Sequence, residues 1–568
     1  MNQVKSWLAR VLSVALISIL SFASAAAQKP ADPLLSGFLN PPQSARPLVW
    51  WHWMNGNITK EGIKLDLDWM HRVGLGGFQT FDAALATPQV VKTRLVYMTP
   101  PWQDAFRYAI DLGDRYGMEM AIAGSPGWSE SGGPWVAPAD GMKKYVWSET
   151  TIEGGKPFAG RLAPPPAATG TFQNLPFDSA SGSKVPQYYA DSVVVAYRKP
   201  KTDVSLEFVH PAITTSSGAL DTSLLSDGDL SRTAKLPIPP VGKKAWVQYA
   251  FSQPVTIRAV TLAARDPKGY VAAIYGIAIP RKTFEASEDG RAWHTVAQFP
   301  SGDEPEITVA FPPVTVRFFR LSFLSTQPPT RPVWAEGLAP QSSQEKDRFT
   351  PTNYEIAELV LHTGARVNHF EEKAAFVPAI DLGQLATPPD GPGDAVRRSD
   401  VVNLTSRMHA DGTLDWTPPP GRWVVLRFGW SLLGTTNHPA TAEATGLEVD
   451  KLDGRAVRQY MENYLDSYKS TVGAKWIGKQ GIRAIVNDSW EAGSQNWTAN
   501  MIADFKRLRG YDPTPWMPVL AGEVVGSAAE SDGFLWDFRE TIADLIASQH
   551  YGVLQDVIHE RGLLHYSE

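Results

Sequence analysis

The residues best equipped for chemistry lie in Gly481-Ile-Arg-Ala-Ile-Val-Asn-Asp-Ser-Trp-Glu491. Ala484-Ile485-Val486 reads as a short buried strand. It breaks abruptly into Asn487, Asp488, Ser489, Trp490 and Glu491. Parallel strands that end this way carry their functional groups on the C-terminal rim of a (β/α) barrel. An indole beside a carboxyl suits a sugar ring. The indole can stack on the sugar's apolar face, and its dry surface can raise the carboxyl pKa so that Glu491 stays protonated as a general acid. The plainer alternative is a strand end whose Asp488 or Ser489 caps the next helix.

Other expected strand ends supply more of the same chemistry. Arg46-Pro-Leu-Val-Trp-Trp-His-Trp-Met-Asn-Gly56 presents Trp51, His52, Trp53 and Asn55. Gly76-Gly-Phe-Gln-Thr-Phe-Asp82 ends in Asp82, and the third strand, 118–124, opens into the Gly-, Ser- and Trp-rich loop 125–135 with Trp128 and Trp135. Thr445-Gly-Leu-Glu-Val-Asp-Lys451, read as strand four, offers Glu448 and Asp450. Leu563-Leu-His-Tyr-Ser-Glu568 reads as a further strand ending in Glu568. Paired carboxylates among aromatic platforms are what glycoside hydrolysis requires. One protonated acid assists the leaving oxygen, and a second carboxylate attacks carbon or activates water. Phosphate-binding glycine loops, a dinucleotide fingerprint and a zinc-protease helix motif are absent from the sequence.

Helices of matching spacing must position these ends. Thr59 caps a helix whose apolar stripe is Ile63, Leu67, Met70 and Val73, closed by Gly74. Residues 102–116, 455–472, 498–509 and 534–561 read as further helices. Alternation of strand and helix predicts a parallel sheet of the α/β class, here a (β/α)8-type barrel with about six strands in this chain. Between strands three and four the texture turns to alternating β runs, which predicts inserted β-sandwich domains. Leu225-Ser-Asp-Gly-Asp229 and Phe284-Glu-Ala-Ser-Glu-Asp-Gly290 resemble discoidin-like, galactose-binding-like modules. The expected division is barrel over 28–146, inserted sandwich over 147–370, a second sandwich-like segment over 371–430, and barrel again over 431–568.

Composition narrows the function classes. A chain of 568 residues is too long for one core. Its net charge of −6 gives no reason to expect nucleic acid as a partner. Lys5 and Arg10 precede the apolar run 11–22, and Ala23-Ser-Ala-Ala-Ala27 comes next, which predicts a secretory signal peptide over 1–27 and export to a bacterial periplasm or the medium, with no membrane attachment afterwards. With 0 cysteines the chain has no disulfide and no thiol chemistry.

Four stretches taken together resemble the α-L-rhamnosidases of glycoside hydrolase family 106. They are the strand around Trp51–Asn55, Gly127-Trp-Ser-Glu-Ser-Gly-Gly-Pro-Trp-Val136, Asn437-His-Pro-Ala440 with Ala444-Thr-Gly-Leu-Glu-Val-Asp-Lys451, and Asn487-Asp-Ser-Trp-Glu491. The resemblance spans most of the chain after the signal peptide. It implies a catalytic barrel with β-sandwich additions, an inverting mechanism, a Ca²⁺ ion near the sugar and a rhamnose-bearing pectic or other glycan as substrate. By position it implies Glu491 as the acid. The base is Glu568 or a residue beyond it, because family chains run longer and this one reads as truncated. His438, Asp488 and Trp490 join Trp51, His52, Trp53, Asn55, Asp82 and Trp128 as expected substrate contacts. Asp82, Glu448, Asp450 and Asp488 are hard oxygen donors for Ca²⁺, with Glu448 and Asp450 taken as its ligands. The competing readings are a β-galactosidase-like exo-glycosidase and a carbohydrate-binding protein without activity.

Overall fold

The computed structural model describes residues 32–85, 87–175, 186–206, 210–266, 269–300, 304–330, 350–379 and 381–568, so the expected signal peptide lies outside the described residues. The rim residues hang from a parallel sheet of β1 (Leu48–Met54), β2 (Gly77–Ala83), β3 (Glu119–Ala123), β4 (Ile482–Asn487) and β5 (Leu564–Ser567), in that spatial order. Val486 lies opposite Ala123, and Asn487 opposite Ser567. The strands therefore end level, and the residues just past their C-terminal ends emerge together at one edge.

The two faces of the sheet differ because strand side chains alternate. One face packs against α1 (Lys60–Arg72), α2 (Pro100–Arg115), α3 (Gly454–Val472) and α4 (Val553–Glu560), with Trp53, Phe78, Ile122, Ile485, Phe106, Tyr464 and Ile558 in a shared core. Helix α1 starts where expected, with Thr59 Oγ1 accepting the Gly62 amide at 3.0 Å. It buries Ile63, Leu67 and Met70. The other face carries Phe81, Ala123 and Val486, with Trp128 and Tyr566 against them. Gly77 has a packing reason: a Cβ there would sit 2.1 Å from the Glu119 carbonyl oxygen.

Two expectations about the sheet need correcting. Thr445–Lys451 is not a strand. Isolated bridges hold it, Leu447 to Gly133 and Thr436 and Val449 to Gly141. The sheet of the described residues thus has five strands and not six, and it is open, with β1 and β5 at its edges. The expected 534–561 helix is three pieces: Ala528–Leu545, a π-helical stretch Ile546–Gly552, and α4.

The inserted β region is a seven-stranded antiparallel sheet in which Lys244–Ala264 and Ile307–Leu324 pair along their length. Val247, Phe284, Phe319 and Leu321 lie in its own core. Residues 371–430 do not form a separate second module. Their main strand, Arg422–Leu432, lies between Lys143–Glu153 and Tyr189–Arg198 in a four-stranded sheet, so one sheet is built from chain before and after the insertion. Alternation reveals that a segment is a half-buried strand, but not which partner it takes.

Candidate active site

Three carboxyl groups meet at the level edge of the sheet. Asp488 comes directly after β4 and is buried, with Oδ1 accepting the Ser489 amide at 2.9 Å. Glu568 comes directly after β5, and its amide donates to the Asn487 carbonyl at 3.2 Å. The negative charge of Asp488, then burial and the charge of Glu491, hold the Glu568 carboxyl above its ordinary value. Beneath them Asn487 is fully buried, and neither amide atom has a protein partner among the described residues. It fits there because residue 124 is glycine: a Cβ on Gly124 would lie 2.2 Å from Asn487 Oδ1.

Glu491 reaches the open side. Its side chain is 44% exposed, with Oε2 3.4 Å from His438 Nε2. Ser489 Oγ donates to Oε1 at 3.4 Å. His438 Nδ1 lies 3.1 Å from the Thr436 carbonyl oxygen. That contact is made by an N–H at Nδ1 and turns Nε2 toward Glu491. His52 is also on this side. It stacks on Phe81 with ring centroids 5.2 Å apart, and its Nε2 accepts the Trp128 indole N–H at 3.0 Å. Burial lowers the His52 pKa against the pull of Asp488, so the ring is a neutral acceptor. Trp490 does not wrap Glu491 as expected. Its N–H donates to the Gly493 carbonyl at 2.8 Å, its ring packs with Met142, Leu433 and Ala492, and Lys451 Nζ lies 5.1 Å from its centroid.

Several expected sugar contacts are placed elsewhere. Trp51 and Trp53 point to the helices, because odd positions of β1 face that way. Trp51 donates to Asp66 at 2.9 Å, and Trp53 is fully buried, edge-on to Trp51, Trp102 and Phe106. Asp82 is the register partner of Trp53 and shares its side of the sheet. It accepts the Trp102 indole N–H at 2.9 Å, and burial raises its pKa to about 7. Asn55 Nδ2 donates to the Thr87 carbonyl at 2.7 Å and braces its own loop. Trp135 stacks on Tyr460 and Tyr464. The residues overlooked in the sequence are Trp50, half-exposed at an even position of β1, and Tyr566, whose hydroxyl accepts from Gln79 at 2.7 Å. Period-two counting from His52 would have found Trp50.

Glu448 and Asp450 do not fit the role of Ca²⁺ ligands. Glu448 Oε2 accepts from Ser131 at 2.7 Å and Lys451 at 3.1 Å. Both oxygens of Asp450 are taken, by Lys143 at 2.8 Å, Thr498 at 2.9 Å, the Leu452 amide at 3.1 Å and Gln495. These are internal ion pairs, and among the described residues no three His, Asp or Glu side chains are arranged to hold a metal. Glu130, from the loop after β3, joins the same buried network. His550 Nε2 lies 3.2 Å from it, and Tyr551 donates to it. Burial opposes its ionisation, but His550 and the Lys451 charge outweigh that and hold Glu130 below its ordinary value.

Comparison with known proteins gives this geometry a setting. The profile of glycoside hydrolase family 106, described as alpha-L-rhamnosidase, matches residues 39–568. The solved rhamnosidase from Novosphingobium sp. PP1Y is 44% identical, with a TM-score of 0.82 over 94% of this chain and 47% of that one. A Formosa agariphila protein, named provisionally as a beta-glucuronidase, is 25% identical over 553 residues, 97% of this chain and 32% of its own length. The chain thus spans less than half the length of either relative. Among the described residues no helix is long and apolar enough to cross a membrane. The chain belongs to glycoside hydrolase family 106.

Proposed function

We propose that this member of the family is an exported α-L-rhamnosidase that removes terminal α-L-rhamnose, with inversion, from pectic or other rhamnosylated glycans. The observation that carries the reading is the meeting of Glu491, Asp488 and Glu568 at the level ends of β4 and β5, within a chain whose family is established. Export is supported by the charged, apolar and small-residue order of the first 27 residues. The five parallel strands are read as part of a (β/α)8 barrel, whose chemistry sits on this edge.

In this reading Glu491 hands its proton to the departing glycosidic oxygen. His438, fixed by Thr436, turns Nε2 to Glu491 and orients the acid. Glu568, when ionised, draws a proton from the attacking water on the opposite face of the sugar. His52, which feels the Asp488 charge, and Trp128, which donates to His52, belong to the same side of the sheet. Glu448 and Asp450, each bound to a lysine, are given no part in these steps.

The name of the Formosa relative raises a second substrate, a glucuronide. A uronate carboxylate would enter a site already rich in negative charge. Among the described ion pairs, none of Asp488, Glu491 and Glu568 is joined to a lysine or arginine. A neutral sugar is therefore favoured. A panel of 4-nitrophenyl glycosides tests the choice. The α-L-rhamnoside is expected to be turned over, with β-L-rhamnose as the first-formed sugar by NMR. Turnover of the glucuronide or galactoside and not the rhamnoside would overturn the reading. Binding of rhamnosides without any turnover would favour a carbohydrate-binding protein.

A further inference from the structure

We infer that the cleft between the inserted seven-stranded sheet and the four-stranded sheet is a second saccharide site, which holds an uncharged sugar without hydrolysing it. The cleft encloses about 430 Å³, within the range of roughly 300–1,000 Å³ seen for small-molecule sites. None of its lining residues belongs to the rim around Glu491.

Its walls pair rings with hydrogen-bonding groups. Trp147, partly exposed, meets Phe172 edge-on at 6.0 Å and Phe370 at 6.2 Å, forming an aromatic wall. Facing it are Glu306, Glu358 and Thr261 from the inserted sheet. Glu358 spends Oε1 on the Gly228 amide at 2.6 Å. Glu306 makes no hydrogen bond among the described residues. Burial, then the charges of Glu371 and Glu358, push its carboxyl well above the ordinary value, and burial raises Glu358 to about 7. Each carboxyl, where protonated, donates as well as accepts.

The cations nearby are committed. Arg366 pairs with Asp203 and Glu523, and Lys199 pairs with Asp203. His362 is kept neutral by burial and bonds Thr261 at 2.7 Å. Among the described residues an anion would find no free cation here. A metal ion would find no three donors placed for it among the described residues. Aromatic faces opposite neutral donor–acceptor groups match a hydroxylated, uncharged ring. Glu306 supports this most directly: a partnerless, partly buried carboxyl costs stability, which a ligand's hydroxyls would offset.

The test uses the full chain carrying Glu491→Gln, so that binding is read without turnover and independently of the hydrolase reading. Uncharged galactan and arabinan oligosaccharides are titrated by calorimetry, with spermidine as a cationic control. Binding of at least one oligosaccharide is expected. Adding Glu306→Leu should weaken it by about tenfold or more while leaving the melting temperature equal or higher, because no protein hydrogen bond is lost. Trp147→Phe should weaken it less, since a ring remains. The proposal fails if no oligosaccharide binds, if Glu306→Leu leaves binding unchanged or lowers the melting temperature, or if spermidine binds in place of the sugars.

Discussion

His438 Nε2 lies 3.4 Å from Glu491 Oε2, while its Nδ1 is tied to the Thr436 carbonyl at 3.1 Å. The ring is thereby held with one nitrogen as donor to the backbone and the other turned to the acid. His438→Ala removes that contact and leaves Glu491 in place. Loss of one such hydrogen bond is worth about 0.5–1.5 kcal/mol, so kcat/KM for an α-L-rhamnoside should fall by roughly 2- to 12-fold. Steady-state kinetics checks this. An unchanged kcat/KM would mean that the imidazole does not orient the acid.

The Asp488–Glu568 pair makes a prediction about pH. Glu568 is held above its ordinary value chiefly by the Asp488 charge. Asp488→Asn removes that charge and lets Glu568 ionise at lower pH. If Glu568 is the base, the acid limb of the kcat/KM profile moves to lower pH, even where the absolute rate is reduced. A limb that stays put or moves upward would assign the base elsewhere.

Lys451 is the counter-charge of a fully buried Glu448, 3.1 Å away. Lys451→Met fills similar space but strands that carboxylate, and breaking a buried pair in this way costs about 3–5 kcal/mol. Denaturant unfolding should show a midpoint shift of that size. A loss below about 1 kcal/mol, typical of exposed pairs, would mean that solvent reaches Glu448.

His550 contributes acid sensitivity. Burial, then the Lys451 charge, lower its pKa to about 4 against the pull of Glu130. In the unfolded chain it titrates near pH 6.5. Between these values the unfolded state holds more protons, so stability rises with pH. The contribution is fully present above about 6.5 and is lost as pH falls toward 4. Its size is on the order of 3 kcal/mol. His362, lowered to about 3, acts with the same sign. Unfolding free energies measured from pH 4 to 7 should slope upward in the native chain and more shallowly in His550→Gln. Equal slopes would contradict a neutral, buried His550.

The strand ends could be read from the chain because short apolar runs break into polar residues at Met54, Ala83, Ala123 and Asn487, and burial demands that pattern wherever a parallel strand leaves the core. The caps of α1 and the place of the insertion were legible for the same local reasons. The facing of Trp51 and Trp53 was legible in principle, since they share a parity opposite to His52, but it depends on which side the helices cover. The error over Thr445–Lys451 was not avoidable locally. Its alternating apolar and acidic residues mimic a strand, and what pins it is Lys143, 307 positions away from Asp450. The shared strand Arg422–Leu432 was hidden for the same reason: pairing partners are a long-range choice. The meeting of Asp488 with Glu568 depends on β4 and β5 being neighbours, which no spacing reveals.

The central claim is that Glu491 is the proton donor, and its dependence on the leaving group tests that most directly. Kinetics of Glu491→Gln should be compared on a 4-nitrophenyl α-L-rhamnoside and on an alkyl α-L-rhamnoside, whose alcohol cannot depart without a proton. The account predicts a loss of about 10²–10⁴ in kcat/KM on the alkyl substrate and a much smaller loss on the nitrophenyl one. Equal, few-fold losses on both would contradict it.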